Sequence, residues 1–417
     1  MDYEKLSKQL YFSKEAAEFL GITVQRLNKL VQEGKIRPLK KNSSGAIYHI
    51  DELKRRQEEL SIFEEIGQGG KGMFCIDTKT KQEALNYATL MNILNYTEHR
   101  LEPLFDEFNR MVRVDIPLVS DEVYGKYAEF FNIDGDSLKR AYDIAFRAFS
   151  ELHPTDEIIK RGSPDYPPLL SQTEQAPRFL YIRGKKSLLY EKRTVALVGS
   201  RQASENAKKN TERLAEALGK NGVTVISGLA KGIDVTAHEE ALRCGYNTIA
   251  VIGTNLNQYY PAENKNVQLE IEKKGLIVSQ FSPANKTERW FFPLRNGVMS
   301  GLSLATVIME AGETSGALKQ ADFAFKQGRQ IIIPENVLNI PKITWPQKYV
   351  RNGAAVVKSP MDVLKVLADN NIFKVKNKTE PVQQTLADYL EETQNTIKKK
   401  LPDDAGTDWA QPMVIEG

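Results

Sequence analysis

The chain has 417 residues, of which 41% are hydrophobic and 27% charged, and a formal net charge of +3. Such a length holds two to four domains, and so small a net charge excludes a global field for nucleic acid, leaving only local basic clusters. Two cysteines, Cys75 and Cys244, give no disulfide framework, no apolar signal region opens the chain and no run approaches 18 apolar residues, so a cytoplasmic protein without a membrane span is expected.

Residues 1–60 read as a small helical unit. Ser13 can cap a helix running to Leu20, with Ala16, Ala17 and Leu20 on one face. Gly21–Thr23 makes a tight turn, and Thr23 can cap a second helix whose apolar face is Val24, Leu27, Leu30 and Val31, stopped by Gly34. Helix, short glycine turn, helix is the helix-turn-helix spacing. Residues 35–50 then read as a hairpin with Asn-Ser-Ser-Gly at its tip, followed by a helix capped by Asp51. Units of this kind serve either duplex contact or protein docking. This one resembles the winged helix-turn-helix of the MerR and excisionase group. The resemblance places Lys35, Arg37, Lys40 and Lys41 along the wing, where double-stranded DNA would be touched through its phosphates.

Residues 61–157 say less. Gly67–Gly72 is glycine-rich but lacks the Lys-Ser/Thr ending of a phosphate loop, so it reads as a turn. Periodic stretches at 83–96 and 137–152 predict a mostly helical domain. The texture changes at residue 158. A proline-punctuated segment ends in a strand at 179–182. Strands at 194–198, 223–226, 247–252, 276–280, 305–309 and 330–333 then alternate with helices near 204–218, 234–244, 263–274, 294–302 and 315–327. Short Val/Ile-rich runs between amphipathic helices imply an α/β, Rossmann-like domain over 158–372, its parallel sheet covered on both faces. The polar tail, 373–417, offers one amphipathic stripe of Val382, Leu386, Leu390 and Ile397.

Four glycine- and hydroxyl-rich stretches fall at the carboxyl ends of these strands: 199–201, 227–238, 291–303 and 310–318. Open α/β sheets bind ligands there. Arg201, Lys231 and Arg295 add positive charge, which suits a phosphate-bearing anion. The turn at Gly199-Ser200-Arg201 has one glycine where a dinucleotide fingerprint needs three, so a pyrophosphate cofactor is not indicated. The four histidines do not cluster, and His238 reads as a structural hydrogen-bonder. Asp234 reads as a helix cap and Glu310 as a loop anchor.

The runs Val-Ala-Leu-Val-Gly-Ser-Arg (195–201), Val-Ile-Ser-Gly-Leu-Ala-Lys-Gly-Ile-Asp (225–234), Tyr-Tyr-Pro-Ala-Glu-Asn-Lys (259–265) and Phe-Pro-Leu-Arg-Asn-Gly (292–297), with Met-Glu-Ala-Gly-Glu-Thr-Ser-Gly-Ala-Leu (309–318), resemble the DprA/Smf family of bacterial DNA-processing proteins. The resemblance covers about 158–370. It implies an extended Rossmann-like fold without cofactor or enzymatic activity, single-stranded DNA binding, a homodimer, and loading of the RecA recombinase during natural transformation. It assigns the DNA phosphates to Gly199, Ser200, Arg201, Lys231, Arg295 and Asn296, against the alternative that Arg201 and Arg295 brace loops. Phe291 and Phe292 are candidates for base stacking, against a place in the core. Three departures mark a divergent member: Gly297 stands where the family commonly has a second arginine, Lys319 where threonine is usual, and Glu335 where glycine follows proline. Two other readings stay open. One is a nucleotide sensor or hydrolase akin to the Lonely Guy phosphoribohydrolases, although their Pro-Gly-Gly-x-Gly-Thr-x-x-Glu spacing is missing here. The other is a helix-turn-helix regulator with a ligand-sensing Rossmann part.

Overall fold

The computed structural model describes residues 10–19, 24–32, 36, 38–42, 45–50, 53–54 and 74–369, in two compact units divided between Met73 and Phe74. In the first unit, β1 (Leu10–Phe12) leads into helices α1 (Ser13–Phe19) and α2 (Val24–Gln32). The hairpin β2 (Lys40–Asn42) and β3 (Gly45–His49) follows, and the antiparallel sheet is ordered β1-β3-β2. Ala16, Ala17, Leu27, Ile36, Ala46 and Tyr48 are its buried core. The helices and hairpin fall where periodicity puts them; β1 was not legible, because a three-residue strand carries no period. Ser13 does not act as the expected cap. Its Oγ lies 3.3 Å from both the nitrogen and the oxygen of Ala46, tying α1 to β3. Glu15 accepts the Phe12 N–H instead, at 2.8 Å. Of the wing residues, Lys40 is exposed on β2 and Lys41 pairs with Ala46 along the strand. Lys35, Arg37, the turn at Gly21–Thr23, the run Gly67–Gly72 and the tail beyond 369 lie outside the described residues.

The second unit is built on one sheet. Its strands are β4 (Glu157–Lys160), β5 (Phe179–Gly184), β6 (Thr194–Gly199), β7 (Thr224–Ser227), β8 (Thr248–Val251), β9 (Leu276–Ser279), β10 (Ala305–Glu310), β11 (Gln330–Pro334) and β12 (Ala355–Val357). Their order is β12-β11-β10-β6-β7-β8-β9-β5-β4. Pairing is parallel from β12 to β9 and antiparallel at β9–β5 and β5–β4. Strand order reverses between β6 and β10, the switch point of a doubly wound, Rossmann-like sheet.

The six expected strands from 194 onward are present, and each expected helix has its counterpart: α7 (Glu205–Lys220), α8 (Ile233–Arg243), α9 (Lys265–Lys274), α10 (Phe291–Gly301) and α11 (Gly316–Lys326), followed by α12 (Trp345–Arg351) and α13 (Pro360–Asp369). Leu214, Leu218, Ala237 and Leu367 cover Val195, Leu197, Val225 and Val307 on one face. Val298, Met299, Ala321 and Trp345 cover Val198, Ile226 and Ile308 on the other.

The helical stretch comprises α3 (Lys79–Leu94), α4 (Glu98–Asn109), α5 (Tyr124–Phe130) and α6 (Gly135–Ser150). It shares a core with the sheet. Successive residues of a strand point to opposite faces, so Phe179 and Tyr181 of β5 enter the helical core with Leu85, Phe105 and Phe149 while Leu180 and Ile182 pack on the other side. Buried Arg178 fastens the two parts, meeting Glu83 at 3.0 Å, Glu102 at 2.9 Å and Asp106 at 2.7 Å. No helix of the described residues is long and apolar enough to cross a membrane.

Candidate functional site

The carboxyl ends of β6, β7 and β8 turn into loops that meet the first turns of α10. Gly199 ends β6 beside Glu310 of β10, and the Ser200 N–H donates to the Glu310 carbonyl at 2.7 Å. The Glu310 carboxylate accepts from the Ser204 N–H at 3.2 Å and from Ser204 Oγ at 2.7 Å, while Ser204 Oγ caps α7 through the Ala207 N–H. Glu310 is thus the anchor of the 200–204 turn, as its position at a strand end suggested. Arg201, at the tip, is exposed and makes no ion pair with a described residue.

A pocket of about 50 Å³ opens beside that turn, and Arg201, Gly228, Lys231, Tyr260, Phe292 and Arg295 are among its walls. Three cations separated by up to 94 positions therefore converge on one hollow at the switch point. They are held differently. Lys231 is half-exposed and paired with Glu263 at 2.6 Å. Arg295 is 5% exposed and lies inside α10, within the helix expected near 294–302. Its Nη1 donates to the Val251 carbonyl at 2.5 Å, and its Nε has no partner. The guanidinium fills the space beside Gly228, where a Cβ would come within 1.9 Å of Nη1, so only glycine lets the β7 loop close over it.

Burial pushes the Arg295 guanidinium down to about 10, nearby Asp234 opposing the shift and Arg201 adding to it. It still carries its proton at neutral pH. Asp234 is buried too, and desolvation raises its carboxyl although Arg295, backbone groups of Ala230 and Gly228, and Arg201 favour the anion. It braces the 228–230 loop from the first turn of α8; the cap position itself is Gly232. His238 is buried with Nδ1 2.7 Å from Thr248 Oγ1, and desolvation depresses it to about 3. It is the structural, neutral group its place on a helix suggested. Among the described residues no cluster of His, Cys, Asp or Glu could hold a metal ion.

The remaining candidates do not all join the pocket. One residue is about 100° of helix, so Asn296 turns away from Arg295 and donates to the Gly316 carbonyl at 3.3 Å, fastening α10 to α11. Phe291 is 3% exposed, and its ring stacks on Phe281 at 3.9 Å, leaving that face unavailable to a base. Phe292 does reach the pocket, tilted against Tyr260 at 5.0 Å. Tyr260, 52% exposed, and Glu263 lie in the 259–265 run, where no single residue had signalled a role. Gly297 explains one departure physically: a Cβ there would meet Gln175 Cγ at 2.7 Å, so a second arginine has no room on that face of α10.

The chain is similar to known proteins. The model of the family described as DNA recombination-mediator protein A matches residues 157–368. DNA processing protein DprA of Streptococcus pneumoniae is 33% identical over 288 residues, covering 69% of this chain and 95% of that protein. Protein Smf of Synechocystis is 36% identical over 211 residues, covering 50% of this chain; the chain spans about half, 53%, of that relative's length. The X-ray structure of the Streptococcus pneumoniae DprA superposes with a TM-score of 0.51 at 29% identity, over 69% of this chain and 95% of that one. The match over 157–368 takes in every loop that supplies the basic pocket, and the chain belongs to the DNA recombination-mediator protein A family.

Proposed function

We propose that the chain binds single-stranded DNA through the pocket at the switch point and holds it for recombination. The observation that carries this reading is the convergence of Arg201, Lys231 and Arg295 on one hollow, one of them buried with an unpaired N–H. A buried cation with an unsatisfied donor is costly unless an anion completes it. Exposed Arg201 then grips the phosphate backbone from the rim, and Ser200 stands beside it. Phe292 and Tyr260 offer aromatic faces to a neighbouring base. Family membership supports DNA as the polyanion.

Loading of a RecA-type recombinase and a homodimer belong to the same proposal, as does division of labour among residues 1–60, 61–157, 158–372 and 373–417. Residues 1–60 carry 12 Lys/Arg against 9 Asp/Glu, which supports weak duplex contact through the hairpin of Lys40 and Lys41.

The test is titration of the full chain against a labelled oligo-dT and a duplex at rising salt. Single-strand binding should weaken with a slope of about 0.7 per phosphate contact. Deleting residues 1–73 should reduce duplex binding and spare the single strand. Failure of the intact chain to bind oligo-dT at low salt would overturn the proposal.

A further inference from the structure

The second unit holds another hollow, larger than the basic pocket and of opposite character. A cavity of about 810 Å³ lies between α3, α4, β5 and α10, within the roughly 300–1,000 Å³ of small-molecule sites. Tyr87, Phe179, Phe281 and Trp290 give it aromatic walls. Four carboxylates line it, Glu98, Glu102, Glu174 and Glu288, against the two cations Arg161 and Lys286, a formal balance of 2 − 4 = −2.

Glu102 is already neutralised, since Arg161 and Arg178 both pair with it. Glu98 is not. It makes no salt bridge with a described residue, and its carboxylate accepts the backbone N–H of Arg178 at 2.5 Å. Burial pushes its carboxyl up to about 7, Glu102 adding to the shift while the Arg178 N–H and the two arginines oppose it. Gln280 and Ser282 line the same cavity, Ser282 being 5% exposed, and neither Gln280 Oε1 nor Ser282 Oγ has a hydrogen-bond partner. An amide oxygen without a donor and a hydroxyl free to accept, beside aromatic faces and an unpaired carboxylate, suit a positively charged donor on an apolar stem. Phosphates are disfavoured by like charge.

We propose that this cavity binds an organic cation, an alkylammonium group whose stem lies against the aromatic walls and whose charge is met by Glu98. The group can come from a free amine or from a lysine side chain of a bound peptide; the recognising chemistry is the same.

The probe is cadaverine, titrated into the full chain at pH 8 by calorimetry and by the fluorescence of Trp290. Saturable one-to-one binding is expected, with none for 1,5-pentanediol, which has the same length and no charge. Glu98→Gln keeps an acceptor for the Arg178 N–H and should weaken binding about tenfold. Moving the wild type from pH 8 to pH 6 should weaken it comparably, because a carboxyl with a pKa of about 7 is mostly protonated at pH 6. The groups facing Glu98 are Glu102 and exposed His99 on α4, Arg161, Tyr166 and Arg178 before β5, Tyr87 on α3 and Tyr181 on β5. The pH effect must vanish in Glu98→Gln to count. Leu294→Arg, at a half-exposed wall position, supplies a tethered guanidinium and should compete. A short lysine peptide binding where cadaverine fails would assign the cation to a partner's side chain; cadaverine binding assigns it to a free amine. Equal binding of pentanediol, equal binding by a natively melting Glu98→Gln, or no saturable binding of either amine would overturn the proposal.

Discussion

The helix Phe291–Gly301 separates two hollows that differ in almost every physical respect. On one side Arg295 and Phe292 face Arg201 and Lys231 across a small basic pocket; on the other Trp290, Phe291 and Leu294 wall a large aromatic cavity rimmed by carboxylates. One turn of helix is enough to present opposite chemistry to each, because neighbouring residues diverge by about 100°. The buried Arg295 and the partly buried Glu98 teach the same lesson with opposite sign. Desolvation lowers the Arg295 guanidinium and raises the Glu98 carboxyl, so each hollow keeps one ion that a counter-charged ligand would relieve.

The comparison breaks most visibly at the exposed rim. The double variant Arg201→Ala, Lys231→Ala should lose roughly 3–6 kcal/mol of oligo-dT binding, two charge-assisted contacts at about 1.5–3 kcal/mol each. Its melting temperature should stay near wild type, since neither residue is buried, and the salt slope should flatten by about 0.7 per contact. A drop in melting temperature with an unchanged slope would mean the pair braces loops instead.

Arg295→Ala should do both kinds of damage. It orphans the Val251 carbonyl and empties the space beside Gly228, which should cost about 2–4 kcal/mol of stability together with the loss of binding. Chemical denaturation and oligonucleotide titration of the same sample separate the two effects. Intact stability with lost binding would show that the buried guanidinium is held for the ligand alone.

On the acidic side the readout is pH-dependent stability. With its folded pKa raised above the unfolded value, Glu98 binds more protons in the folded state between about 4.5 and 7. Its contribution to stability is therefore fully present at low pH and lost as pH rises through about 7. Glu98→Gln should then stabilise the chain at pH 8, by roughly 1–3 kcal/mol, and leave it nearly unchanged at pH 4.5. Melting curves at the two values test this; a gain independent of pH would remove the titration as its cause.

Gly297→Arg supplies the second arginine that the family resemblance suggests and should destabilise by roughly 1–3 kcal/mol through overpacking against Gln175, without gaining oligo-dT affinity. A gain in affinity would show that Gln175 yields. The smallest effect expected is that of Glu263→Gln. Releasing Lys231 from a half-exposed ion pair worth at most about 1 kcal/mol should raise oligo-dT affinity up to roughly fivefold.

Much of the sheet was legible because Val/Ile runs such as Val195–Val198 and Leu276–Val278 alternate with amphipathic helices, and burial on both faces forbids polar interruption. Strands β4 and β12 were not, since Glu157–Lys160 and Ala355–Val357 are too short for a period to declare itself. The basic residues Arg201, Lys231 and Arg295 could be listed from their places after strands. Asn296 and Phe291 could be listed too, yet they serve α11 and the Phe281 stack, because a motif gives proximity in sequence and not direction around a helix.

By itself the sequence determined the alternation of strand and helix, the switch from helical to α/β texture near residue 158, and the glycines and cations at the strand ends, all of which depend on local period and local sterics. Only the tertiary structure decided which cations share a hollow, that Arg295 is buried across Gly228, and that α3 and α4 close a carboxylate-lined cavity over β5. Those are contacts between residues tens of positions apart. Their energies depend on burial and on the charge of groups brought close by packing, and neither quantity exists until the chain has folded.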